Sequence, residues 1–293
     1  MPSEEDSFER KLFPMTTIIN GRDSRGNCWQ GSGFFYTEMI PQEPEKQGPQ
    51  WHKIDKTWLI TNRHVVLAKE NGMEYLPERL TFHLRETKKG CIDWIPIELS
   101  KEDLRVRLKL HKNSDVDVAC IDISSYIHDI ISDNEKRDSF LPPLTLSNLN
   151  LPSNQPIKVE VTSDIIIASY PKNFYDDTNK FPIVKSGIVA SAWGFQFKGE
   201  PIFQIDAQLF PGSSGGLVIS KPTHFALIDG KPHYSKSKEF VLLGIYSGEY
   251  CWKESITIPG IETPVEINRT YGLGNVWYSY LIPEIISEGV QFM

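Results

Sequence analysis

Pro211-Gly212-Ser213-Ser214-Gly215-Gly216 runs straight into Leu217-Val218-Ile219. Glycines on both sides of a serine pair permit a tight turn in which backbone N–H groups converge beside a hydroxyl. A Cβ at either flank would crowd that turn. The apolar run after it reads as a short buried strand, so the turn is anchored at its far end. Alone the stretch is weak evidence, because glycine and serine dominate ordinary turns. Its weight comes from what lies upstream.

Thr57-Trp58-Leu59-Ile60-Thr61 is a short apolar strand candidate that leads into Asn62-Arg63-His64-Val65-Val66. A histidine at the end of a buried strand is held rigidly at a cleft, and its near-neutral pKa suits general-base work. Further on, Ser114-Asp115-Val116-Asp117-Val118-Ala119-Cys120-Ile121-Asp122 alternates acids with small or apolar residues. Asp117, at the head of an apolar run, is expected to be partly buried and to need a donor such as an imidazole N–H. Taken singly, His64 also fits a core histidine and Asp117 a strand-edge acid. The order His64, Asp117, Ser214, with gaps of 53 (117 minus 64) and 97 residues (214 minus 117), is one of the convergent orders of a Ser-His-Asp triad. Three weak signals in that order outweigh their separate bland readings.

On these residues the chain resembles the trypsin-like serine peptidases, and most closely the bacterial branch that includes the high-temperature-requirement proteases. Leu59 to Val66 resembles the family's histidine motif, Asp117-Val118-Ala119-Cys120-Ile121 its aspartate strand, and Asp206 to Gly216 its nucleophile loop. Gln30-Gly31-Ser32-Gly33-Phe34-Phe35, Ile165 to Pro171 and Lys185 to Ser191 are similar to supporting strands. The resemblance implies an all-β, chymotrypsin-like double β-barrel with a short C-terminal helix. It divides the chain into an N-terminal segment (1–14), a first barrel (15–139), a linker (140–156) and a second barrel with the closing helix (157–293).

The resemblance also implies roles. Ser214 would be the nucleophile, His64 the general base and Asp117 its orienting acid, with Asp115 as the rival acid and Asp122 a poorer fit. The backbone N–H groups of Gly212 and Ser214 would form the oxyanion hole. By position, Gln208 and Tyr246-Ser247-Gly248-Glu249 would lie near the pocket for the residue before the scissile bond. Gln208 argues against a charged floor, while Glu249 is open to either a basic preference or a surface position. Trp193, Phe195 and Phe197 would shape a groove or, more simply, pack in the core. Two departures from the animal trypsins matter: Ser213 stands where their activation aspartate lies, and the Ile-Val-Gly-Gly start is missing. Both departures, with the absent disulfides, match the bacterial branch and predict no activation by an inserted amino terminus. The chain also stops too soon after Gly248 for the peptide-binding module many of those proteases carry. A double-barrel binding module without catalysis is the alternative reading. An esterase is disfavoured, since no Gly-x-Ser-x-Gly elbow surrounds Ser214.

Composition sets the remaining bounds. The 293 residues carry a net charge of −7, which argues against a broad nucleic-acid surface, and no apolar run is long enough to span a membrane. Cys28, Cys91, Cys120 and Cys251 lack metal-ligand spacing, and the acidic start Met1-Pro2-Ser3-Glu4-Glu5-Asp6 does not have signal-peptide form. These features predict reduced thiols, a cytoplasmic location, no metal and no cofactor. The expected partner is a protein or peptide substrate, with a regulatory protein left open. Asn268-Arg269-Thr270 matches a glycosylation acceptor, which has no meaning without secretion. Strands are expected at Thr16 to Ile19, Trp29 to Tyr36, Leu80 to Leu84, Ile92 to Leu99, Val106 to Leu110, Ile157 to Val161 and Phe240 to Tyr246. Helical turns are expected at Ile127 to Ile131 and Tyr280 to Ser287. Thr37 to Lys56 and Pro222 to Lys238 read as insertions, the first a solvated loop before anything else, though its position before the His64 strand would also let it overhang the cleft.

Overall fold

A computed structural model describes residues 8–40, 53–88, 91–133, 138–228, 231–256 and 265–292. The N-terminal half opens with helix α1 (Phe8–Leu12) and a 3-10 turn (Phe13–Met15) before strands β1 (Thr16–Arg22), β2 (Cys28–Ile40) and β3 (Lys53–Thr61). Helix α2 (Arg63–Val66), the hairpin β4 (Ala68–Glu70) and β5 (Met73–Tyr75), and the pair β6 (Arg79–Lys88) and β7 (Cys91–Ser100) follow. Then come α3 (Lys101–Arg107), β8 (Leu108–Leu110), β9 (Ala119–Asp122), α4 (Ser124–Ser132), β10 (Phe140–Leu141) and β11 (Leu146–Ser147). Most of these strands form one nine-stranded curved sheet, ordered β10-β6-β1-β2-β3-β9-β8, with β7 on β6 and β11 on β2.

The C-terminal half comprises β12 (Asp164–Ser169), β13 (Ile183–Val189), β14 (Ile202–Asp206), β15 (Leu217–Ser220), the hairpin β16 (Thr223–Ile228) and β17 (Lys231–Glu239), then β18 (Leu242–Ile256), β19 (Val265–Tyr278) and helix α5 (Leu281–Glu288). Six of its strands close a barrel in the order β12-β13-β14-β19-β18-β15. The all-β, chymotrypsin-like expectation with a closing helix therefore holds, with one half a curved sheet and the other a closed barrel. Among the described residues no helix is long and apolar enough to cross a membrane.

Both faces of the central strands are buried, which is why they read as continuous apolar runs and not as alternating ones. Phe35 and Leu59 face the core of the first half, with Leu80, Phe82, Leu99 and Ile121. Their neighbours Phe34, Trp58 and Ile60 face the other way, into an apolar seam shared with Leu217, Ile219 and Ile245. Val218 in turn points into the barrel, against Ile165, Phe203 and Val276. Helix α5 seats Leu281, Ile282, Ile285 and Ile286 in the seam. Each fully buried side chain of this kind contributes roughly 1.5–3 kcal/mol. The seam thus fixes the two halves against each other, and the site is built along it.

Several local expectations are corrected. Val106 and Arg107 end helix α3 instead of starting a strand, which is confined to Leu108–Leu110. A reciprocal cap drives this: Asp103 N–H donates to Ser100 Oγ (3.1 Å), and Ser100 N–H donates to the Asp103 carboxylate (3.0 Å). Ile157 to Val161 is not a ladder strand, although Ile157 and Val159 still rest against the barrel core. Asp115 and Asp117 precede β9 and lie on no strand, and His64 sits on α2, beyond the end of β3. Within Pro222 to Lys238, β16 and β17 pair antiparallel with Phe225 opposite Tyr234 and a register shift between Thr223 and Phe225. Within Thr37 to Lys56, β2 and β3 extend the pairing to Ile40 opposite Lys53. The proposed overhang itself falls on 41–52, outside the described residues.

Candidate active site

His64 is placed by its neighbours on α2. Arg63 forks onto the Glu74 carboxylate, with Nη2 at 2.6 Å and Nε at 2.9 Å, and so ties α2 to the β4–β5 hairpin. Trp29 Nε1–H donates to the Val65 carbonyl (2.8 Å), and Asn62 Nδ2 donates to the Asp117 carbonyl (2.7 Å). The Asp117 carboxylate then takes three contacts. Oδ1 accepts the His64 backbone N–H at 2.9 Å. Oδ2 lies 2.7 Å from His64 Nδ1 and accepts the Ser247 hydroxyl at 2.7 Å. With only 20% of its side chain exposed, Asp117 is a mostly buried charge satisfied by donors, whereas the His64 ring remains half exposed at 51%. Asp115 is exposed, its N–H held by Asn113 Oδ1, and Asp122 pairs with Lys56 Nζ at 2.8 Å. Neither meets His64.

The Ser214 loop is shaped by its glycines. Gly212 and Gly215 have φ of +92° and +84°, a region that L side chains rarely enter. A Cβ on Gly215 would stand 2.0 Å from the Ser32 carbonyl oxygen. Carbonyls within the loop are gripped from behind: Lys172 N–H donates to Pro211 O (2.8 Å) and Gly216 N–H to Ser213 O (2.9 Å). Because a trans peptide points its C=O and N–H in opposite directions, these grips turn the Gly212 and Ser214 N–H groups forward. Neither of those N–H groups donates to an acceptor among the described residues. Ser213 is fully buried and its Oγ accepts from Ser169 Oγ at 3.2 Å, so no charged group occupies that position.

Ser214 Oγ donates to the Ser247 carbonyl at 3.0 Å instead of to His64. Ser247 thus touches both parts of the site, through its hydroxyl to Asp117 and its carbonyl to Ser214. Sequence reading places it only near the substrate pocket; its one signal was its position at the end of the buried Val241 to Tyr246 run. Of the other pocket candidates, Gln208 is exposed and its carbonyl receives the Lys185 ammonium. Tyr246 is buried, which pushes its phenol pKa up, and Gly248 is partly exposed next to Ser247. Glu249 is not a free surface acid: Oε1 accepts from Leu209 N–H (2.7 Å) and Oε2 from Thr270 Oγ1 (2.6 Å). Trp193 packs on Phe203 at 4.8 Å, as the core reading has it, while Phe195 is 71% exposed. A cleft of about 390 Å³ opens beside His64, lined by Asp23, Arg25, Trp29 and Tyr75 among others. Among the described residues no cluster of three His, Cys, Asp or Glu side chains could hold a metal ion.

Residues 31–225 match the model of the trypsin-like peptidase domain. The chain belongs to the trypsin-like peptidase family. The matched span contains His64, Asp117 and Ser214. No curated protein sequence matches the chain. Among solved structures, the HtrA-type protease AlgW with a tripeptide aligns at a TM-score of 0.45 and 15% identity, covering 95% of this chain and 60% of that one. This chain therefore spans less than two thirds of the AlgW chain. The active form of the Rv3671c protease from M. tuberculosis aligns at 0.47 and 15% identity, covering 100% and 88% of the two chains. The protease Anisep from Arthrobacter nicotinovorans aligns at 0.46 and 11% identity, covering 91% and 90%.

Proposed function

We propose that this trypsin-like peptidase is a serine endopeptidase in which Ser214, His64 and Asp117 act as one unit. The observation that carries the reading is the Asp117 carboxylate, which accepts from His64 at both its backbone and its ring and is linked through Ser247 to Ser214. A carboxylate so placed holds the proton on His64 Nδ1, leaving Nε2 free as the base. Rotation of Ser214 χ1 releases Oγ from the Ser247 carbonyl and offers its proton to Nε2. Oγ then attacks the substrate carbonyl, the oxyanion is received by the Gly212 and Ser214 N–H groups, and His64 returns the proton to the leaving amine. Water repeats the cycle on the acyl-enzyme. Glu249, which among the described residues accepts from the neutral donors Leu209 N–H and Thr270 Oγ1, would favour a basic side chain before the cut. The deciding experiment is labelling of the purified chain with a fluorophosphonate and mapping of the adduct. An adduct on Ser214 that disappears in Ser214→Ala supports the reading.

One observation favours the alternative, a double-barrel binding module without catalysis: Ser214 bonds the Ser247 carbonyl and not His64. Catalysis needs the Ser214 side chain to leave that carbonyl, and a change between staggered rotamers costs little next to the reaction barrier. No adduct under any condition, with peptide binding retained, would favour the module.

A further inference from the structure

Arg85, on β6, is buried (5% exposed), and no carboxylate pairs with it among the described residues. Its Nη2 donates to the Phe13 carbonyl (3.0 Å), the Lys180 carbonyl (2.9 Å) and the Tyr170 hydroxyl (3.0 Å), while the buried Nη1 has no partner among the described residues. The guanidinium lies 5.8 Å from the centre of the Phe181 ring, on which Phe13 stacks at 4.2 Å. Burying a cation without an anion costs several kcal/mol, so such a residue contributes little net stability. What it does achieve is to join three chain segments at one nitrogen: the N-terminal turn through Phe13, β6, and the loop after β12 through both Tyr170 and Lys180.

Tyr170 in turn stands directly behind the Ser214 loop. Its N–H donates to Ser32 Oγ (2.8 Å), which donates to the Gly212 carbonyl (2.9 Å). The Ser32 N–H donates to the Ser214 carbonyl (2.7 Å). On either side of Tyr170, Ser169 Oγ reaches Ser213 Oγ and Lys172 N–H reaches the Pro211 carbonyl. Residues 169–172 are therefore the template against which the 211–214 backbone is set, and the Tyr170 side chain is pinned at its far end by Arg85.

We propose that Arg85 is a positioning residue: through Tyr170 it fixes the 169–172 template, and with it the direction of the Gly212 and Ser214 N–H groups. The Phe13 carbonyl completes its cradle, so docking of the N-terminal turn supports the Ser214 loop by a neutral hydrogen bond to a buried cation. The inference rests on the serine-peptidase reading for its effect on rate, but not for its effect on the loop.

The test uses the full chain with Arg85→Met and Tyr170→Phe, each compared with wild type well below its melting temperature. Fluorophosphonate labelling of the folded protein should slow roughly tenfold or more in the inactivation step, as expected for donors displaced by a fraction of an ångström. The initial non-covalent affinity for the reagent should be unchanged. Hydrogen exchange should quicken at the hydrogen-bonded amides of this loop, those of Ser213, Gly215 and Gly216, while β14 and β19 stay protected. A lowered melting temperature with wild-type labelling rate and exchange at those amides would mean a merely structural role and overturn the proposal. Should Arg85→Met not fold, Tyr170→Phe decides alone, because it keeps the guanidinium on its two carbonyls. If wild type itself does not label, the peptidase reading fails, and exchange at the same amides still decides the role of Arg85.

Discussion

Replacing Asp117 by Asn preserves volume and shape but removes one acceptor from a group that faces three donors. In the native site, Oδ1 accepts the His64 N–H while Oδ2 serves both the His64 ring and the Ser247 hydroxyl. An amide placed with its oxygen toward the backbone N–H puts NH2 against the imidazole, which must then carry its proton on Nε2 and cannot act as base. Placed the other way, the NH2 meets the His64 backbone N–H, two donors at about hydrogen-bond distance. The first arrangement costs less, since only a tautomer changes. The turnover of Asp117→Asn should fall by about 10⁴, near 5.5 kcal/mol of barrier, the size known for this tautomer exchange in other triads. The assay is the second-order labelling rate with fluorophosphonate together with hydrolysis of a peptide library, measured from pH 6 to 10. The melting temperature should move little, because the exchange is isosteric. A variant within tenfold of wild type at pH 7.5 would refute the orienting role of Asp117 and the mechanism built on it.

Four further outcomes follow from the same geometry. Ser214→Ala should abolish labelling with the fold intact, whereas Ser213→Ala, which loses only the contact with Ser169, should keep most of it; the reverse pattern in mass mapping would reassign the nucleophile. Gly215→Ala should also abolish labelling, as its Cβ would meet the Ser32 carbonyl and Thr61 Oγ1 at 2.0 and 2.3 Å; wild-type rates would show that the loop tolerates another path. Burial against Trp94, with Lys180 and Arg85 adding positive charge, lowers His83 to about 4 from its ordinary 6.5. The folded state then binds fewer protons than the unfolded one between those values, so this contribution is complete above pH 6.5 and is lost as pH falls towards 4, on the order of 3 kcal/mol. Denaturation at pH 7 and 4.5 should show a smaller acid loss in His83→Gln than in wild type. Finally, Cys28 and Cys251 are free and exposed while Cys120 is free and buried, so the first two should react quickly with a thiol reagent and Cys120 only on unfolding; disulfide-linked peptides from either exposed cysteine would contradict this.

Much of the fold was legible because its strands are short, apolar and bounded by turn residues, and the seam merely hides their alternation by burying both faces. Where the reading failed, a local device had overridden the pattern. Alternation at Val106 to Leu110 was real, but the Ser100–Asp103 cap starts a helix that runs through the first half of it. Ile157 and Val159 alternate and touch the core without a neighbouring strand to pair with, since apolar spacing reports burial and not the ladder. The pairing of His64 with Asp117 was foreseeable from order and setting, because each residue sits beside a strand that the sequence announces. Ser247 and Arg85 were not. One is a common residue whose two bonds, to Asp117 and from Ser214, span 130 and 33 positions; the other is an arginine in an alternating strand, where solvent exposure is the ordinary expectation. Each makes one of its bonds, Ser247 to Asp117 and Arg85 to Tyr170, only once the two halves have closed on the seam. A triad announces itself locally because its chemistry needs particular residue types in particular turns. The groups that aim it are chosen by distance in the folded chain, so any residue able to donate at that spot will serve, and sequence alone leaves them indistinguishable from their neighbours.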